Sequence, residues 1–121
     1  MVKLESLKKS YQFKKTLKEK KIHSDFFSIF ATKNFYKPKY KSNLLISFVM
    51  KKKIGNAVKR NKIRRKLKAI VQKLLKKRGA ISKDYTYIVF GKSNAYTQKQ
   101  TVLMPLMEQC FNKIKVKWWR Y

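Results

Sequence analysis

Apolar positions recur at two periods along this chain, every second residue in some stretches and every third or fourth in others, and the two periods separate strands from helices. Between residues 57 and 77, Ile63, Leu67, Ile70, Val71 and Leu74 form a stripe, while Asn61, Arg65, Gln72 and Lys76 fall roughly opposite it. This spacing predicts a long amphipathic helix. Gly55 lets the chain turn ahead of the helix, Asn56 is placed to cap it, and Gly79 to end it. A strand-sized run flanks it on each side: Leu-Leu-Ile-Ser-Phe-Val-Met over residues 44–50, and Asp-Tyr-Thr-Tyr-Ile-Val-Phe over residues 84–90, closed by Gly91. Strand, long helix and strand predict a parallel pair joined by a helical crossover.

The remaining elements are shorter. Ser10 is placed to cap a helix over residues 11–20, in which Phe13 and Leu17 share a face among Lys14, Lys15 and Lys18. Residues 25–31 alternate as a strand, with Phe26, Ser28 and Phe30 on one side and Phe27, Ile29 and Ala31 on the other. Residues 32–43 carry a proline and no clean period, which predicts a loop or a ragged edge strand. From Thr97 onward, Leu103, Leu106, Met107, Cys110, Phe111 and Ile114 keep the spacing of a final amphipathic helix, with Pro105 near its start or kinking it. The whole therefore reads as a single α/β domain over residues 1–121, with a core over about residues 7–114 and a basic aromatic tail over residues 115–121.

Charge changes this picture from a fold to a function. The 121 residues carry a formal net charge of +28, yet 44% are hydrophobic and 14% aromatic, too many for a disordered basic tail. Self-repulsion at that density weakens the compact state, and a polyanion that binds the native form stabilises it. RNA, DNA and an anionic membrane are the candidates. The longest apolar run, residues 44–50, is far too short to span a bilayer, and the first residues lack the continuous apolar region of a secretory signal. A cytoplasmic protein with no membrane partner is expected. Cys110, the one cysteine, agrees with a reducing compartment and is expected in the core.

Catalytic chemistry is thin. The five acids, Glu5, Glu19, Asp25, Asp84 and Glu108, are scattered without the convergence a two-metal nuclease needs. His23 is the sole histidine, which leaves no histidine pair and no zinc site. No Walker or dinucleotide fingerprint is present. No catalytic residue is expected in the chain. The arginines, by contrast, are concentrated: of those at positions 60, 64, 65, 78 and 120, three fall within residues 51–68. Arginine's planar fork grips a phosphate or base edge through two hydrogen bonds, so this segment reads as a nucleic-acid contact.

The same segment resembles the signature of the bacterial ribonuclease P protein subunit, Lys-x-x-Gly-x-Ala-Val-x-Arg-Asn-Arg-x-Lys-Arg-x-x-Arg. Lys52, Gly55, Ala57, Val58, Arg60, Asn61 and Arg65 fall in register, and Lys62, Arg64 and Lys68 hold basic positions with arginine and lysine exchanged. Lys51 stands where the family commonly has serine. The likeness covers roughly residues 7–114. It implies an αβββαβα fold like the second domain of ribosomal protein S5, with a left-handed crossover. It also implies a ribonucleoprotein endonuclease that removes 5′ leaders from precursor tRNA, in which the RNA subunit holds Mg2+ and the active site. By that resemblance Lys52, Lys53, Asn56, Lys59, Arg60, Asn61, Lys62, Arg64, Arg65 and Lys68 contact the catalytic RNA. Phe13, Leu17 and Phe30 line a cleft for the single-stranded leader, and no protein partner is required. Core packing is the alternative for Phe13 and Phe30. Two other classes stay open: a ribosomal-type structural RNA-binding protein without a leader cleft, and a protein-only nuclease.

Overall fold

The structure, a computed structural model, describes residues 3–77 and 79–119, the last five of these by their backbone alone. Strand β1 (Leu4–Glu5) leads into α1 (Ser10–Lys18), then β2 (Lys20–His23), β3 (Phe27–Lys33) and β4 (Leu44–Val49). Helix α2 (Ala57–Leu75), strand β5 (Tyr85–Gly91) and helix α3 (Gln100–Trp119) complete the order. After β1, this is the αβββαβα order that the resemblance implies. The strands form one sheet in the order β1-β4-β5-β3-β2.

Alternation sets the two faces of that sheet. Phe27, Ile29 and Ala31 of β3, Leu44 and Ile46 of β4, and Tyr87 and Val89 of β5 are enclosed under α2 and α3. Their neighbours Ser28 and Phe30, Ser47 and Val49, and Thr86, Ile88 and Phe90 face the side on which α1 lies. The stripe Ile63, Leu67, Ile70, Val71 and Leu74 is wholly buried against the sheet and α3. Burial of each such side chain contributes roughly 1.5–3 kcal/mol. β4 and β5 are parallel neighbours, Ile46 opposite Tyr87 and Val49 opposite Phe90, so the expected crossover through α2 is present.

Gly91 permits that crossover to close. A Cβ there would stand 2.5 Å from Met50 Sδ and 2.8 Å from Ile63 Cγ2, well inside contact distance. Asn56 caps α2 as expected, its Oδ1 accepting from the Lys59 amide at 2.9 Å. A short 3-10 turn, Lys52–Ile54, precedes Gly55, whose φ of 154° lies where side-chain-bearing residues rarely go.

Local details depart from expectation where chain geometry outweighs pattern. Lys9, not Ser10, occupies the cap of α1, and the Gln12 carboxamide accepts from the Lys8 and Lys9 amides at 2.9 and 3.0 Å. A glutamine reaching back satisfies the helix start that a serine was expected to satisfy. α1 ends at Lys18, two residues early, because residues 20–23 pair with β3 as a strand that polarity alone conceals. β3 is shifted to Phe27–Lys33, since the Ser24 side chain organises a turn over residues 24–27. α2 ends at Leu75 rather than residue 77. α3 starts at Gln100 and carries Pro105 inside it, in the second turn. Its backbone runs to Trp119, while the side chains from residue 115 onward, and with them the tail aromatics, lie outside the described residues, as does Arg78. Cys110 is buried, as expected.

One lysine of α2 acts on the fold itself. Lys66 Nζ donates to the carbonyls of Ala95, Tyr96 and Gln98 at 2.9, 2.8 and 2.6 Å, fastening the turn before α3 to α2. Burial, with Lys62 beside it, lowers its affinity for the proton. Replacing Lys66 by alanine leaves those carbonyls without their donor and is expected to cost about 1–3 kcal/mol, read as a lower urea midpoint at unchanged m-value. Gly91→Ala is expected to cost about 1–3 kcal/mol by overpacking in the same measurement. A midpoint equal to that of the native chain would show that α2 does not need the close approach.

Candidate RNA interface

Helix α2 begins with no acid in its first turn and with Lys59 and Arg60 instead, on the end where the aligned peptide dipoles are already positive. In the free protein that arrangement repels itself, and an anion relieves it. The cations then divide by helical position. Arg64 and Lys68 lean toward β4; Asn61 and Arg65 point outward; Lys59 and Lys62 lean toward Tyr96. Lys59 Nζ donates to Ser93 Oγ at 2.9 Å and, with Lys62, lies over the Tyr96 ring, 5.4 and 4.7 Å from its centroid. Arg64 Nη1 donates to Asn61 Oδ1 at 2.7 Å. Lys52, Lys53, Asn56, Asn61, Lys62, Arg65 and Lys68 are exposed. Among the described residues none of these cations is paired with a carboxylate; the Lys77–Glu108 pair lies at the far end of α2.

Arg60 projects on the side of the apolar stripe of α2. It is half-buried, with Nε enclosed and without a hydrogen-bond partner. An anion against the rest of the guanidinium would offset the cost of that partial desolvation. Lys59 is likewise held against the domain, by Ser93 and Tyr96.

On the opposite face of the sheet, α1 is built inside out. It buries Gln12 and Thr16, 6% and 0% exposed, and leaves Leu17 38% exposed and Phe13 half-exposed. Thr16 Oγ1 donates back to the Gln12 carbonyl at 2.8 Å, so its buried hydroxyl is satisfied. Neither Phe13 nor Phe30 belongs to the hydrophobic core cluster, and both are half-buried. Leu17 and Phe30 line one cleft of about 500 Å³ with His23, Ser28, Phe90 and Lys51. Phe30 meets Phe90 edge to face at 5.4 Å, and Lys51 Nζ lies 5.9 Å from the Phe90 centroid. His23 is exposed, and its Nδ1 sits 2.6 Å from Ser28 Oγ on the cleft wall.

Phe13 stands apart from the other two. It lines a second concavity of about 310 Å³ with Leu4, Ser47, Val49, Arg64 and Lys68. This concavity exists because β1 pairs only with Leu44 and Leu45, so the outer edge of β4 beyond them has no strand beside it. The structure thus brings Leu17 and Phe30 together and joins Phe13 instead to the cationic flank of α2. Phe90 and Tyr96 do not stand out as site residues in the sequence. The β3–β5 register puts Phe90 on the face of Phe30, and which face stays uncovered depends on where α1 settles.

Among the described residues no group of three or more His, Cys, Asp or Glu is placed to hold a metal ion. Among the described residues no helix is long and apolar enough to cross a membrane.

Comparison with known proteins places this architecture. The sequence profile described as Ribonuclease P matches residues 1–115. The chain is 29% identical over 109 residues to the ribonuclease P protein component of Mycoplasma capricolum subsp. capricolum, covering 90% of this chain and 94% of that one. It is 35% identical over 83 residues to the protein component of Mycoplasma mycoides subsp. mycoides, covering 69% and 72%. In structure it is similar to an RNase P protein of Staphylococcus aureus, a mutant described as defective in mRNA degradation activity. That superposition gives a TM-score of 0.72 at 20% identity and covers 91% of this chain and 87% of that one. The RNase P protein from Thermotoga maritima superposes with a TM-score of 0.68 at 21% identity over 89% and 96%. These two likenesses carry the fold. A profile match over nearly the whole length, on a chain whose signature residues converge at one helix start, settles the family: this chain belongs to the ribonuclease P protein family, whose role is the 5′ processing of tRNA.

Proposed function

We propose that this chain works as the partner of a catalytic RNA that itself carries the active site, gripping that RNA with the start of α2 and guiding the single-stranded 5′ leader of precursor tRNA along the cleft beside α1. The observation that carries this reading is the inverted helix α1, which buries Gln12 and Thr16 and turns Phe13 and Leu17 outward. Exposed apolar groups on a chain of net charge +28 suit a ligand that is anionic on its backbone and aromatic on its bases. The cleft mouth carries Lys51 and Lys53, so the leader and the α2 contacts adjoin. Phe30 and Phe90 offer ring faces and edges to bases, while Lys52, Asn56, Arg60, Arg64 and Arg65 take phosphates.

Magnesium in this reading belongs to the RNA, because the described residues offer no carboxylate or histidine set of their own. The protein's part is electrostatic. Cations held at the helix start lower the repulsion between catalytic RNA and substrate, and so let the RNA hold its metal ions at lower magnesium. A cytoplasmic place, with no further protein needed for assembly, goes with this role.

The decisive assay is precursor tRNA cleavage at low magnesium by the cognate RNA alone, with this protein, and with variants verified as folded. The native protein is expected to restore cleavage. Arg64→Ala/Arg65→Ala, which spares half-buried Arg60, and the triple variant that adds Arg60→Ala are expected to lose the restoration. The triple variant's salt dependence of RNA affinity should flatten by about 2–3 in log–log slope, roughly 0.7–0.9 per lost phosphate contact. Full restoration by both variants would replace this reading with that of a generic basic protein, and cleavage by the protein without any RNA would replace it with a protein-only nuclease. Separately, Phe30→Ala is expected to weaken binding of precursor tRNA about 5- to 100-fold, the loss of one stacked base, while leaving leaderless tRNA unchanged. Equal weakening of both would show that Phe30 does not meet the leader.

A further inference from the structure

Helix α1 has a third side. Gln12 and Thr16 face the sheet, and Phe13 and Leu17 occupy one flank. Tyr11 and Lys15, four residues apart, occupy the other. On that far flank Tyr11 packs edge to face on Phe35 at 6.4 Å, Phe35 on Tyr36 at 5.0 Å, and Lys15 Nζ lies 4.9 Å from the Phe35 centroid. Phe35 and Tyr36 come from the loop that follows β3, and they too stand outside the hydrophobic core cluster. Tyr11 is 54% exposed. The one acid nearby, Glu5, has its carboxylate engaged by the Lys39 amide and Asn43 Nδ2. Burial, reinforced by Glu5 and Tyr11, pushes the Tyr36 hydroxyl up to about 12.

We propose that this aromatic and basic flank is a second contact for single-stranded RNA, occupied by the distal part of the same leader after it has passed over α1. The proposal rests on the leader reading of the cleft. Between the two flanks, the outer side of α1 presents Lys14 and Lys18, both exposed, as a phosphate track. Crossing a helix about 10 Å in diameter takes about three nucleotides at the stacked rise of ~3.4 Å. A leader that ends inside the cleft cannot reach the far flank; a longer one meets it.

Leader length is therefore the test. The holoenzyme assembled from this protein and its catalytic RNA is titrated with two precursor tRNAs, one with a leader of about four nucleotides, about 14 Å, and one of about twelve, about 40 Å. Tyr11→Ala is expected to weaken the long-leader substrate about 5- to 100-fold, the range of one lost stack, and to leave the short-leader substrate unchanged. Tyr11→Phe, which keeps the ring, is expected to restore binding. Equal loss at both lengths, or none at either, overturns the proposal. So does weaker assembly with the catalytic RNA in the absence of substrate, which would assign the flank to that RNA. Phe30→Ala measured alongside separates the two readings. If it weakens the substrates while Tyr11→Ala does nothing, only the far flank is refuted; if it too does nothing, the leader reading falls and this proposal with it.

Discussion

The close approach of α2 to the β4–β5 pair is the contact on which both the core and the placement of the cationic helix start depend. Gly91 lets Met50 and Ile63 meet over the end of β5, and five side chains of α2 are thereby sealed from water. Because the same helix carries Asn61, Arg64 and Arg65 along its other sides and half-buried Arg60 at its start, the packing that stabilises the domain also fixes the directions of its cations. The two cannot be separated: a helix tilted off the sheet would lose apolar burial and scatter the guanidinium groups at once.

Electrostatics pulls against this packing. A helix start bearing Lys59 and Arg60 on a positive dipole end, in a chain of net charge +28, is locally unfavourable in the free protein. Part of the strain is relieved internally, where the Tyr96 ring accepts Lys59 and Lys62 and three carbonyls hold Lys66. The remainder is left facing outward. Position on α2 thus separates its cations: Lys59, Lys62 and Lys66 lean on the turn before α3, while Arg64 and Lys68 line the concavity beside β4.

Helix α1 shows the complementary device on the other face. A small polar contact, Gln12 and Thr16 against the sheet, with Ser47 Oγ accepting the Leu7 amide at 2.8 Å, anchors the helix. Its apolar and aromatic side chains are thereby left over on both flanks. An ordinary amphipathic helix would have buried Phe13 and Leu17 against the sheet. Here the helix divides the surface into an apolar cleft on one side and an aromatic cluster on the other.

Much of this architecture is legible in the amino-acid sequence. The stripe of α2, its Asn56 cap, the two strands around it and the final helix follow from periodicity alone, because each is a long local pattern that burial reinforces. The signature within residues 51–68 marks the cationic start of α2 for a related reason: charge, glycine and cap must sit at fixed spacing to build a helix start. Short and polar elements are harder to see. β2 exists only because β3 offers it a ladder, and the α1 cap comes from a glutamine reaching back rather than from the serine in place. Phe13, Leu17 and Phe30 read as one group in the sequence, yet nothing local could divide them between two concavities. That division follows from the angle at which α1 crosses the sheet and from where β1 stops pairing with β4. Local pattern determined which residues face inward on each element, since that depends only on chain period; the joining of side chains from distant segments into clefts was decided by how the elements pack, which no single stretch encodes.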